Sequence, residues 1–309
     1  MSQTMPLPAA MLQRARDFTG PPAPARPAAT VVLLRPAAAG FEVYVLRRAS
    51  TMVFGGVYAF PGGGVDRDDR PRTIGTDWPE RLGVPEAEAK AVVGAAAREL
   101  FEEAGVLLAG PAGEAEARAG GAGEAEARAG GAGEAEARAG GASAAEARAG
   151  GASAAEAGTG GGSAGDGGLV GDVSGADWEA DRLAVQRREL TMTELLARRG
   201  LRLRDDLLLP WARWITPEFE PRRFDTWFFV AVLPPAQTAR DVSGEADRTT
   251  WVSPAAANGL TMLPPTRVML NDLCAYESIE GVWTAERDAA APVMPRVELT
   301  ENGDAVLTI

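Results

Sequence analysis

Apolar residues first gather at Thr30–Leu34 (TVVLL) and again at Phe41–Leu46 (FEVYVL), with Pro-Ala-Ala-Ala-Gly between them. Two short apolar runs around a turn signal predict a β-hairpin. The glycine-rich string FGGVYAFPGGGVD at Phe54–Asp66 reads as a loop, and a polar stretch follows to about Pro85. From Glu86 to Ala104 the spacing predicts a helix, closed by Gly105 as the residue after its C-cap. Trp178–Arg199 predicts a second helix, with Leu183, Leu190, Leu195 and Leu196 as its apolar set. Strands are predicted at Leu207–Ile215, Thr226–Leu233 and Thr249–Val252. Leu263 to about Ile279 predicts a helix opened by proline, whose missing N–H costs nothing in a first turn. Val297–Leu299 and Ala305–Ile309 flank Asn302-Gly303, a hairpin turn signal. This order implies an α/β class protein: a mixed β-sheet with helices on its faces, and not a run of βαβ units.

The pattern divides the chain. Residues 1–27 are rich in Pro and Ala and read as an N-terminal tail or short lead-in helix. Residues 28–110 and 169–285 carry the core patterning, and 286–309 carry the C-terminal hairpin. Between the two core parts, residues 111–168 have no such patterning. GEAEARAGGA occurs three times from Gly113 and then decays into GTGGGSAGDGG. The segment has no large apolar residue to offset its ordering entropy, and Gly-Gly in each repeat stops helix propagation. It is expected to be a long disordered insertion.

Composition then removes chemistry. The 309 residues include no histidine and one cysteine, and Lys90 is the single lysine. Histidine-based triads, His-ligated zinc, internal disulfides and CxxC redox sites are therefore excluded. Lys90 stands outside any GxxxxGK[ST] context, so there is no Walker loop. A net charge of −12 argues against broad electrostatic binding to nucleic acid. No apolar run approaches the ~20 residues of a membrane span. The expected partner is a small molecule, with no nucleic acid and no membrane, and the expected location is the cytoplasm. Cys274, among Met269, Leu270 and Leu273, is expected to be a buried structural thiol. Trp211 and Trp214 are expected in the core.

Carboxylate and arginine remain. Glu99, Glu102 and Glu103 stand at i, i+3 and i+4 of the predicted helix, so they share one face. Like charges so placed repel, and a helix tolerates the cluster best when a cation sits on it. Three carboxylates suit Mg²⁺ or Mn²⁺, which take oxygen ligands. The pairs Arg47/Arg48 and Arg222/Arg223 are candidate substrate-binding forks, since guanidinium binds phosphate bidentately.

Arg98-Glu99-Leu100-Phe101-Glu102-Glu103-Ala104-Gly105-Val106 fits REUxEExGU, with U aliphatic, and Phe60-Pro61-Gly62-Gly63-Gly64 supplies a glycine after a strand. Together these resemble the Nudix box. The resemblance implies a Nudix fold and cleavage of a nucleoside diphosphate linked to another group. It implies Mg²⁺ or Mn²⁺ on Glu99, Glu102 and Glu103. Either Glu102 or Glu245, from the loop SGEADRTTW, is implied as the base. Arg98 is implied to orient the carboxylates, and Gly62 and Gly63 to let the backbone approach the helix.

The chain departs from the box in spacing. Thirty-four residues separate Gly63 from Arg98, where the usual box has thirteen, and Lys90 stands where its first glutamate should be, eight before the arginine. Glu86 and Glu88 are the candidates to replace it. An insertion there resembles the peroxisomal acyl-coenzyme A diphosphatases and their bacterial relatives. So do VLRRASTMVFGGVYAFPGG at 45–63, WITP at 214–217, RRFDTWFFVA at 222–231 and LPPT at 263–266. That branch implies coenzyme A or acyl-CoA as substrate, split into 3′,5′-ADP and (acyl-)phosphopantetheine. The rivals are ADP-ribose, dinucleoside polyphosphates and NADH, or a Nudix-fold protein that binds a nucleotide without cleaving it.

Overall fold

The structure is a computed structural model that describes residues 4–6, 9–49, 55–113, 168–242, 244, 246–299 and 305–308. The expected disorder of the insertion falls, for 114–167, outside the described residues, as does Glu245. In chain order come β1 (Thr4–Pro6), α1 (Ala9–Asp17), β2 (Ala25–Pro36), β3 (Phe41–Arg48), β4 (Tyr58–Ala59) and β5 (Gly62–Gly64). Then come α2 (Trp78–Leu82), α3 (Glu86–Ala104) and β6 (Ala109–Pro111). Beyond the insertion lie α4 (Ala176–Gln186), α5 (Met192–Arg198), β7 (Leu201–Leu203), β8 (Leu209–Ile215), β9 (Arg223–Val232) and β10 (Ala246–Val252). The chain closes with α6 (Pro264–Leu273), α7 (Ile279–Trp283), β11 (Pro292–Val293), β12 (Arg296–Leu299) and β13 (Ala305–Thr308).

The main sheet runs β10-β3-β2-β9-β8-β11. Its spine is the parallel pairing of β2 with β9, from Ala25↔Arg223 to Leu34↔Val232. On its other side β2 has two partners in turn. Its C-terminal end pairs with β3 (Leu34↔Val43), and its earlier part pairs with the short β5 (Ala28↔Gly64, Thr30↔Gly62). The glycine loop thus fills the place that β3 leaves, and this seats it beside the helix that packs on the same face.

Strand alternation builds two cores. Ala29, Val31, Leu33, Trp227 and Phe229 face α3 and its neighbours. Val32, Leu34, Phe228 and Val230 face the opposite layer, with Met269, Leu270 and Leu273 of α6. The result is a mixed sheet between helical layers. Trp211 and Trp214 are buried in the second core, as expected.

Helix α3 spans the residues the sequence predicts, and Gly105 follows with φ 64°, its N–H donating to the Phe101 carbonyl. The helix is buried nearly all round, because Ala89, Gly94, Ala95, Ala96 and Ala97 let neighbours come close. Elsewhere the elements differ from expectation. The predicted helix at Trp178–Arg199 is two helices, α4 and α5, broken at Arg188 with φ 62°. The predicted helix from Leu263 ends at Leu273, and α7 is separate. Part of the N-terminal tail belongs to the fold, since β1 pairs with β13 and β2 begins at Ala25. Cys274 is exposed, not buried: it lies at the C-cap of α6, where the helix has turned away from the core.

Candidate active site around Arg98

The last two turns of α3 carry Arg98, Glu99, Glu102 and Glu103 toward the glycine loop. Arg98 is 3% exposed and organises the site. Its Nε and Nη2 donate to the two carboxylate oxygens of Asp69 at 2.7 and 2.9 Å. Nη2 also donates to the Gly64 carbonyl at 2.8 Å. Nη1 donates to Glu99 Oε1 at 2.7 Å and to Glu102 Oε1 at 3.3 Å. Each of the five guanidinium N–H groups therefore has an acceptor. Burial works against this charge, but the Asp69 hydrogen bonds and the Glu99, Asp69 and Glu102 charges outweigh it and raise the guanidinium pKa.

Two close approaches make the arrangement possible. A Cβ on Gly63 would stand 2.7 Å from the Glu99 carboxylate carbon, so only glycine lets β5 lie against that side chain. A Cβ on Gly94 would meet Pro71 Cδ at 2.9 Å and the Asp69 carbonyl carbon at 3.1 Å. Gly94 stands one turn before Arg98, and its bare surface lets the loop carrying Asp69 reach the guanidinium. Glu103 accepts the Gly62 N–H at 2.9 Å, which ties the loop to the helix from the other end.

The carboxylates differ in environment. Burial pushes the Glu99 carboxyl up to about 7, with the Glu102 charge adding to the rise and the Arg98 charge opposing it. Glu102 is 5% exposed, and its Oε1 accepts a second guanidinium, Arg188 Nη1, at 2.6 Å. Arg182, fully buried, donates through Nη1 to the Glu102 carbonyl at 2.8 Å, placing a cation at the C-terminal end of α3.

These oxygens are a hard, all-carboxylate donor set, and the Gly63 cradle presents the backbone to them. They suit Mg²⁺ or Mn²⁺ in kind. In the present side-chain positions, no three carboxylates among the described residues converge on one point. Arg98, Arg188 and the Gly62 N–H draw the oxygens in separate directions.

No family model matches the sequence, and no curated protein matches it. Solved structures do match. A NUDIX hydrolase from Alicyclobacillus acidocaldarius superposes with TM-score 0.58 at 24% identity, covering 86% of this chain and 99% of that one. The chain has a Nudix fold. Looser likenesses include the NUDIX domain of Shewanella oneidensis NrtR complexed with ADP ribose, at 9% identity, TM-score 0.36, covering 87% of this chain and 98% of that one. A NUDIX hydrolase from Nitrosomonas europaea is 10% identical with TM-score 0.36, covering 88% of this chain and 80% of that one. At 24% identity the Alicyclobacillus acidocaldarius likeness shows the fold alone, and the chemistry is read from the residues.

Within the Nudix fold, the residues singled out from the sequence separate into two groups. Arg98, Glu99, Glu102, Glu103, Gly62 and Gly63 are brought together. The arginine pairs lie elsewhere. Arg47 forks onto Asp247 at 2.6 and 3.0 Å across the β3–β10 edge. Arg48 has a buried Nε with no partner among the described residues. Arg223 is 8% exposed and clasps the Thr216 and Ala23 carbonyls at 3.0 and 2.9 Å, which joins the lead-in segment to the sheet. Arg222 is exposed. Neither Glu86 nor Glu88 takes the place of the box glutamate. Glu86 pairs with Lys90 at the exposed start of α3, and Glu88 lies ten residues before Arg98, about 15 Å along the axis.

The acid that pairs with Arg98 is Asp69, which the sequence reading missed. It stands six positions after Gly63, the spacing at which the resembled box sets its first acid. Counting forward from the glycine would have found it; counting back from Arg98 lands on Lys90. Arg182 and Arg188 were also missed. They lie some eighty residues beyond Glu102, on the far side of the repeats, where no local spacing points back to the helix.

Proposed function

We propose that this protein is a divalent-metal-dependent hydrolase of the pyrophosphate bond in nucleoside diphosphate derivatives, acting in the cytoplasm on coenzyme A or an acyl-CoA. The observation that supports it most is the fully donated Arg98, which holds Glu99 and Glu102 beside Glu103 and the Gly62–Gly64 strand without itself facing solvent. A surface acidic patch needs no such support. Glu99, Glu102 and Glu103 are the residues proposed to hold Mg²⁺ or Mn²⁺. The ion's contribution there is to neutralise charge on the diphosphate and lower the pKa of water.

The chain's own residues supply the rest. Arg98 is a positioning residue, since its donors are spent on protein acceptors. Glu102 is the proposed base: it takes the proton of the attacking water, with Glu245 as the alternative from the loop before β10. Gly63 keeps bulk away from Glu99, and Glu103 fixes the loop through the Gly62 N–H. No histidine is needed for any of these roles. Among the described residues no helix is long and apolar enough to cross a membrane.

A substrate panel tests the reading. CoA, acyl-CoAs, dephospho-CoA, ADP-ribose, a dinucleoside polyphosphate and NADH are incubated with Mg²⁺, with Mn²⁺ and with chelator, and products are read by mass spectrometry. CoA or an acyl-CoA should yield 3′,5′-ADP with metal and nothing with chelator. Fastest turnover of ADP-ribose would overturn the CoA assignment and keep the pyrophosphatase. Binding without turnover of any compound would favour a nucleotide-binding protein.

A further inference from the structure

Three arginines converge on Glu102, and they are not alike. Arg98 is 3% exposed and anchored by Asp69, and Arg182 is 2% exposed and holds a backbone carbonyl. Neither can leave without stranding a buried charge. Arg188 reaches Glu102 from solvent. Its side chain is 47% exposed, against 7% for that of Glu102, so the pair joins a wet donor to a dry acceptor. Its Nε also pairs with Asp66 at 2.6 Å, across the mouth of the glycine loop.

The backbone at Arg188 is unusual. It turns from α4 toward α5 with φ 62°, and Arg188 and Ala236 are the two non-glycine residues with positive φ among those described. Such a conformation disfavours a side chain. Glycine would make this turn at less cost. The turn aims the guanidinium at Glu102 Oε1, the same oxygen that Arg98 touches.

We propose that Arg188 is an exchangeable counter-cation of the acidic cluster. It holds Glu102 and Asp66 until a divalent ion takes those oxygens, and its released guanidinium then binds a phosphate of the substrate. The inference rests on the metal-dependent reading above. Four carboxylates (Asp66, Asp69, Glu99 and Glu102) pair with the two guanidiniums of Arg98 and Arg188, and Glu103 stands beside them on the same helix face. An incoming dication that takes Glu102 Oε1 competes with the two guanidiniums on that oxygen, and of the two Arg188 is the one with water to retreat into. No bond is made or broken in the exchange. A guanidinium already at the rim of the cluster then stands where an anionic diphosphate must enter, and its planar fork suits phosphate.

The test is Mn²⁺ affinity of the substrate-free protein, read from the electron paramagnetic resonance signal of free Mn²⁺ at fixed ionic strength. Arg188→Gln and Arg188→Gly remove the competitor, and the glycine form also relaxes the turn. Both should bind Mn²⁺ about ten-fold more tightly than wild type, the order expected for one charge-assisted hydrogen bond to a part-buried carboxylate. Arg187→Gln, which removes an equal charge from the exposed neighbouring position, should change affinity less than two-fold, within the reach of screened surface electrostatics. KM for the pyrophosphate substrate should rise in the Arg188 variants while Mn²⁺ affinity improves, two effects of opposite sign. Equal or weaker Mn²⁺ binding in folded Arg188 variants would overturn the exchange, as would unfolding of both. Tighter Mn²⁺ binding with unchanged KM would overturn the delivery of the guanidinium to phosphate. Absence of Mn²⁺ binding in wild type would overturn the metal-dependent reading itself.

Discussion

Asp69 has no role in the sequence reading and a central one in the structure. It accepts two of the five Arg98 donors and is 3% exposed. Asp69→Ala should strand a buried guanidinium and cost about 3–5 kcal/mol. The matching Tm loss is roughly 6–20 °C for a protein of this size, measurable by calorimetry. Glu88→Gln, three turns away, should stay within about 0.5 kcal/mol; equal losses in the two variants would contradict the assignment. Glu103→Gln retains an oxygen for the Gly62 N–H and removes one charge from a crowded face. It should leave Tm unchanged or higher and lower activity at least ten-fold, the order of one lost charge-assisted contact. Glu99 gives a pH signature. Its folded pKa of about 7 lies above its ordinary 4.5, so the folded metal-free protein binds more protons between those values than the unfolded chain. Stability of chelator-treated protein should therefore fall as pH rises from about 4.5 to about 7, by on the order of 3 kcal/mol at most. Glu99→Gln should flatten that slope, and a denaturant series at several pH values reads it. The three glutamates were legible because one helix sets their spacing. Arg188 was not, because its turn is written in Arg187-Arg188-Glu189, residues that favour helix.

Among the elements, α3 was fully legible: its alanine-rich run, its acidic pair and its closing glycine all specify the same helix. Strands β2 and β3 were recognised but read short, since their outer residues pair with β9 and β10, elements two hundred residues away. Helix α2 was missed, as five residues inside a polar stretch carry too little periodicity. What fixes it is tertiary: Trp78 Nε1 donates to Asp205, and Arg81 stacks 4.3 Å over the Trp78 ring. Gly94 shows the same tension between local and tertiary demands. Gly94→Ala raises intrinsic helix propensity by about 1 kcal/mol. Its Cβ would meet Pro71 and the Asp69 backbone, so the loop must move and the Arg98 fork must loosen. The variant should be less stable and less active in spite of its better helix; a higher Tm with full activity would show that the loop does not depend on this approach.

At the scale of the whole molecule, the repeats interrupt a fold that closes without them. The Val170 N–H donates to the Ala109 carbonyl at 2.9 Å, and β6 pairs with β7, so the chain leaves and re-enters the fold at one point. Deleting 114–167 removes eight Glu, one Asp and four Arg and no large apolar residue. Lengthening a loop costs only about 0.6 kcal/mol per doubling. The deletion protein should keep its Tm within a few degrees and its activity within two-fold, and an insoluble or inactive product would show that the insertion serves the fold or the site. The Nudix fold itself was legible from nine residues at the end of one helix, while the substrate was not: of the arginines that the sequence offered as phosphate forks, Arg47 is engaged by Asp247 and Arg223 by backbone carbonyls. The most direct test of the central claim is therefore product analysis after incubation of wild type and Glu103→Gln with CoA and Mn²⁺. Wild type should release 3′,5′-ADP and phosphopantetheine only with metal present, and the variant should release at least ten-fold less. Equal turnover by the two proteins, or none by wild type with any pyrophosphate tested, would contradict it.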